Sequence, residues 1–163
     1  IWGIGCDATN SSAVENIYLL KERDPNHSML ILVSDIGMAE QYLEEMPEVA
    51  YQLFECADQP LTLVLDGACR VASNLPARDG SIGMRIPDDE FCQQVLRQFR
   101  KPIVSTSANF SGQVSARCFR EINKDLLKRI DHVVCWRQEE SPSKKASSLV
   151  KIKPGGGITI LRK

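Results

Sequence analysis

The chain has 163 residues, with 43% hydrophobic residues, 25% charged residues and a formal net charge of −1. That length lets one domain bury roughly 70% of its unfolded surface, and the composition excludes a disordered or collagen-like chain. No apolar run approaches the roughly 20 residues that span a bilayer, and a net charge near zero argues against a uniformly polycationic nucleic-acid binder.

The charge is unevenly spread: residues 1–70 hold three Lys or Arg against twelve Asp or Glu, and residues 71–163 hold seventeen against nine. Such asymmetry is one flag for an anionic partner. None of the six cysteines forms a C-x-x-C pair, and the only histidines are His27 and His132. This pattern predicts reduced thiols in a cytoplasmic protein and no metal site of nitrogen and sulfur ligands.

The chain starts at Ile1 in an apolar, glycine-rich run and reads as one whose first residues are absent. Ser12 and Glu15 are spaced as a capping box. Behind them Val14, Ile17, Tyr18 and Lys21 share one helical stripe, which should end near Arg23 because Pro25 follows. Residues 29–33 form a short apolar run typical of a buried strand. Asp35 caps a helix to about Glu45, and Pro47 opens another through about Ala57. Residues 61–65 read as a strand. In the strand 81–86, Ile82, Met84 and Ile86 point one way, and Ser81, Gly83 and Arg85 the other. Asp88, Asp89 and Glu90 suit the first turn of a helix to about Arg100. A strand at 103–106 runs into the small-residue loop 107–115. Then come a helix from about Ala116 to Arg129, a strand at 132–136 and a polar loop at 138–146. Strands at 148–152 and 158–161 close the chain as a hairpin around a Gly-rich turn. The whole reads as an α/β domain with a twisted mixed sheet and flanking helices.

Four segments could carry chemistry. Lys21 and Arg23 stand at a helix end, where cations also suit the dipole. Lys21 leaves the apolar stripe and so borders whatever the helix packs against. Arg85 shares its strand face with Ser81 and Gly83, and its planar fork suits a carboxylate or phosphate. The run Ser105-Thr106-Ser107-Ala108-Asn109-Phe110-Ser111-Gly112 is a strand-to-loop junction rich in hydroxyls and N–H groups, of the kind that faces anions. Ser147 and Ser148 enter a strand after the basic pair Lys144-Lys145. The P-loop pattern is absent, and no Ser/His/Asp set assembles. Cations, hydroxyls and backbone N–H groups suit anion binding and stabilisation of phosphoryl charge.

Residues 1–8 (Ile-Trp-Gly-Ile-Gly-Cys-Asp-Ala), Lys21-x-Arg23, Pro60-Leu61-Thr62-Leu63-Val64-Leu65, Gly83-Met84-Arg85-Ile86-Pro87 and the 105–112 run occur in the order of the YrdC-like domain, which the chain resembles over nearly its whole length. The resemblance implies one domain over residues 1–163, folded as a YrdC/RibB-like α/β sheet around a positively charged cavity. It implies a nucleotidyltransferase that makes L-threonylcarbamoyladenylate from threonine, bicarbonate and ATP, with Mg²⁺ as helper, for tRNA threonylcarbamoyladenosine modification. Lys21 and Arg23 would be catalytic and contact ATP phosphates. Ser81, Ser107, Ala108, Asn109, Ser115 and Arg162 would also bind ATP. Arg85, Thr106 and Ser147 would bind threonine. Members are also described as binding double-stranded RNA, so an RNA- or nucleotide-binding module without this activity is the alternative. A basic Lys144-Lys145 pair is its mark.

The chain departs from the family pattern in places. The P-T-D/E-T segment would precede Ile1. His27-Ser28-Met29 stands where the family has Asn or Lys before Pro-Leu, Leu32 aligns with a substrate-binding His of some members, and Lys151 replaces the Asp of S-T-V-V-D. These departures are similar to a YciO-like branch.

Overall fold

Alternate residues along the central strands divide the sheet into a core face and an opposite face of mixed composition that carries Ser105, Ser81 and Arg85. The computed structural model describes residues 2–140 and 147–162. Its elements are β1 (Gly3–Ile4), α1 (Ser11–Lys21), β2 (Leu30–Leu32), α2 (Ile36–Gln41), α3 (Glu48–Glu55), β3 (Leu61–Leu65), β4 (Ile82–Arg85), α4 (Glu90–Phe99), β5 (Ile103–Ser107), a 3₁₀ turn (Phe119–Glu121), α5 (Lys124–Leu127), β6 (Ser148–Ile152) and β7 (Ile158–Arg162). The strand order is β1-β5-β2-β4-β3-β6-β7. Two neighbouring pairs, β2–β4 and β3–β6, are parallel and the rest antiparallel, so the sheet is mixed.

The register Ile31↔Val104, Ile31↔Met84 and Leu63↔Met84 carries one row of apolar side chains across the central strands. All four are fully buried, and with Ile82, Leu65 and Ile152 they build the continuous core. Each such side chain contributes about 1.5–3 kcal/mol on burial. The residues between them, including Ser105, Leu30, Gly83 and Val64, make the opposite face. A Cβ at Gly83 would lie 3.1 Å from Leu30 Cβ and 3.5 Å from Thr62 Cγ2, so glycine here lets two side chains close over the strand.

α1 presents Val14, Ile17, Tyr18 and Lys21 as its buried stripe, as the spacing predicts. Its cap is Asn10, whose side chain accepts from Ala13 N–H, instead of Ser12. The helix therefore starts at Ser11, ahead of the expected capping box. α2 ends at Gln41, short of Glu45, because Glu44 N–H bonds Gly67 O and Leu43 bridges Ala68.

Two expected elements are replaced. The helix expected over 116–129 is broken into a 3₁₀ turn and the four-residue α5: Ile122 is extended, and the Asn123 side chain caps Asp125 N–H. An asparagine offering its own carbonyl to the backbone competes with helix continuation. Residues 132–136 form no strand. Val133 and Val134 have strand-forming side chains but pair with no neighbouring strand, and propensity without a partner makes none.

Gly5 sets a tight approach between the first residues and β5. A Cβ there would fall on the Val104 carbonyl oxygen and lie 2.9 Å from Ile103 Cγ2. Gly5→Ala should therefore destabilise by about 2–3 kcal/mol, lowering the melting temperature by about 5–10 °C. An unchanged melting curve would mean that the segment shifts freely off β5.

Candidate functional site

The face opposite the core carries chemical groups at both of its ends. At one end lie the start of β2, the start of β4 and the end of β5. Glu22 takes a left-handed conformation (φ 52°) and ends α1, with its N–H on Leu19 O and Tyr18 O. This turn lets Lys21 stay on the buried stripe while Arg23 swings toward the segment before β2. Lys21 is 1% exposed. Its ammonium donates to the carbonyls of Ser107 and Asn109, and its own carbonyl accepts from Ser111 N–H at 2.8 Å. Burial, then the charge of Arg23, pushes its pKa down to about 8. Arg23 donates from Nε to His27 O at 2.9 Å and from Nη2 to Ser28 O at 3.0 Å.

The loop after β5 is closely held. Ala108 N–H bonds Trp2 O, and Asn109 Nδ2 donates to Phe110 O and Gln113 O. Asn109 Oδ1 is buried without a partner. Ser81 is 4% exposed. Its hydroxyl donates to Asp79 Oδ1 at 2.6 Å, and Lys151 donates to Asp79 Oδ2 at 2.7 Å. Those bonds hold the Asp79 carboxyl far below the usual range. Lys151, noted for its place in the family pattern, thus sits in an ion pair beside Ser81.

At the other end stands Arg85. In register with Leu32 and Ile103, it lies four residues up the face from Ser107, roughly 13 Å along the strands. Its Nε is buried with no hydrogen-bond partner. Burial pushes its pKa down, the neighbouring Arg162 adds to this, and Cys92 and Asp89 oppose it. Arg162 on β7 donates from Nε and Nη2 to Ser147 O at 3.0 and 2.8 Å. Ser147 Oγ lies 2.8 Å from Thr62 Oγ1, and both residues are buried.

The structure therefore gathers Lys21, Arg23, Ser81, Ser107, Ala108 and Asn109 at one end and Arg85, Ser147 and Arg162 at the other. Thr106 is not brought to this face. β5 runs through Ser107, so Thr106 pairs with Ile4 and shares the side of Val104. Ser115 lies half-buried in the loop beyond Gly112. Lys144 and Lys145 lie outside the described residues. Sequence reasoning named Ser105 only within the 105–112 run and missed Thr62. Thr62 could have been found as the one hydroxyl in the apolar run of β3.

Among the described residues no group of three or more His, Cys, Asp or Glu could hold a metal ion, and no helix is long and apolar enough to cross a membrane. The face offers cations and unspent donors and acceptors, suited to binding an elongated anion.

The sequence model of the Sua5/YciO/YrdC family, described as "Telomere recombination", matches residues 1–163. The threonylcarbamoyl-AMP synthase of Serratia proteamaculans (strain 568) is 31% identical over 129 residues, which are 77% of this chain and 68% of that protein. P. abyssi Sua5, solved in complex with L-threonine, has a TM-score of 0.86 at 22% identity, over 99% of this chain and 47% of that one. E. coli YciO has a TM-score of 0.82 at 21% identity, over 99% of this chain and 77% of that one. The chain spans about half the length of the P. abyssi Sua5 structures it resembles. Since the family pattern extends over all 163 residues and the fold is that of Sua5 and YciO, the chain belongs to the Sua5/YciO/YrdC family.

Proposed function

We propose that this chain makes L-threonylcarbamoyladenylate from threonine, bicarbonate and ATP. The observation that carries the reading is the buried, unpartnered Nε of Arg85, on the same sheet face as the loop held by Lys21. The naming of the Serratia relative as a threonylcarbamoyl-AMP synthase and the binding of L-threonine by P. abyssi Sua5 support it.

Threonine and bicarbonate condense to the carbamate with loss of water. A carbamate oxygen then attacks the α-phosphorus of ATP, forming a P–O bond while the bond to the β-phosphate oxygen breaks and pyrophosphate leaves. Such a step needs positioning and charge stabilisation more than a strong base. Arg85 anchors the threonine carboxylate through a planar two-point contact, and Ser147 supplies a hydroxyl beside it. Lys21 has two of its three N–H bonds on carbonyls, which leaves one for a phosphate oxygen. Arg23 keeps three of its five. Ser107, Ala108 and Asn109 line the nucleotide, with the Asn109 Oδ1 acceptor open to a donor, and Arg162 closes the far side. Ser81 reaches ATP as an acceptor, since its hydrogen is already donated to Asp79. Magnesium arrives with ATP as part of the substrate. Ser115 takes part through the loop that carries it, whereas Thr106, on the other face of β5, is left out of the site. The product is consumed in tRNA threonylcarbamoyladenosine modification.

Pyrophosphate release measured with all three substrates, and with each omitted in turn, tests the reading; release that is independent of threonine or bicarbonate overturns it. Arg85→Ala should lower kcat/KM for threonine about 10- to 100-fold, the worth of a charged hydrogen bond, and Lys21→Ala should abolish ATP turnover. Wild-type rates in both variants would remove these residues from the site.

The Lys21 ammonium is charged below about pH 8 and neutral above it. ATP affinity should therefore fall as pH rises through about 8, whereas Lys21→Arg, charged throughout, should show no such fall. Identical calorimetric pH profiles for the two proteins would exclude Lys21 as the titrating contact.

A further inference from the structure

Arg85 poses an electrostatic question. Its Nε is buried without a partner, and Arg162, a second guanidinium, acts on it from β7. One carboxylate, Asp89, acts on Arg85 from only four residues along the chain. An ion pair between the two would occupy the position of an incoming carboxylate.

Asp89 is held elsewhere by two groups. As the N-cap of α4, its Oδ1 accepts from Cys92 N–H at 3.0 Å. Its Oδ2 accepts from Arg137 Nη1 at 2.6 Å. Arg137 is itself fixed, with a left-handed backbone (φ 58°) and a second ion pair to Glu140. It belongs to the irregular 131–140 segment, which adds no strand to the sheet.

We propose that Arg137 is a positioning residue that keeps Asp89 away from Arg85, so that the Arg85 guanidinium stays open to a substrate carboxylate. Arg137 need not touch the substrate. It sets carboxylate affinity by holding the competing carboxylate. The inference rests on the reading of Arg85 as the carboxylate anchor.

The test is a double-mutant cycle on the full chain with Arg137→Ala and Asp89→Asn. Asparagine retains the helix cap while losing the charge, so the second variant separates electrostatics from folding. Two quantities are read: the calorimetric affinity for L-threonine, and the ¹⁵N resonance of Arg85 Nε–H. Arg137→Ala should weaken threonine binding about fivefold, as expected for a partly exposed charge pair, and shift the Arg85 resonance. Adding Asp89→Asn should restore both, as should Arg137→Lys in place of Arg137→Ala. If neither quantity moves in Arg137→Ala, or if the loss persists once Asp89 is neutral, the inference is overturned. If the wild-type chain binds no threonine, the functional reading fails, and the Arg85 resonance still decides whether Arg137 restrains Asp89.

Discussion

The site depends on one buried ammonium. Lys21 enters the interior at the end of an apolar helical stripe, where an uncompensated charge would be costly. Two main-chain carbonyls from the loop after β5 meet it there, and an N–H of the same loop bonds back to the Lys21 carbonyl. Helix end and loop are thus tied in both directions. Removing the lysine would leave two carbonyls without their donor and the loop without its anchor, so charge and scaffold cannot be separated at this position.

The second organising constraint is the control of carboxylates. Two acids stand beside the cationic face, and each is already engaged. Asp79 accepts from Ser81 and Lys151. Asp89 caps α4 and meets Arg137. Each bond commits a carboxylate to a partner other than Arg85. Single exposed ion pairs add little to stability, so the value of these two lies in which groups they leave open.

The alternation Ile82/Met84 against Ser81/Gly83/Arg85 was legible in the sequence because strand periodicity maps directly onto sheet faces. The Lys21 stripe was legible for the corresponding helical reason. Thr106 shows the limit: strand alternation sets it on the side of Val104, and the family resemblance that assigned it to the site says nothing about which face it takes. The Asn123 break was present in the sequence, but its capping role depends on local backbone choice. Residues 132–136 have strand-like composition, yet pairing is decided by which edges the rest of the sheet leaves available. The Asp89–Arg137 contact spans 48 positions and has no local signature. Gly83 has a packing reason that only the register reveals, since it stands between Leu30 and Thr62.

The Lys21 tether uses only main-chain oxygen at the loop end. Every amino acid presents that oxygen, so the side chains at positions 107 and 109 can change without the tether losing its acceptors. A family could therefore retune what this loop recognises, one side chain at a time, while the frame that holds the loop stays the same. The lysine bears the whole burden of identity, and the loop is left free to diversify.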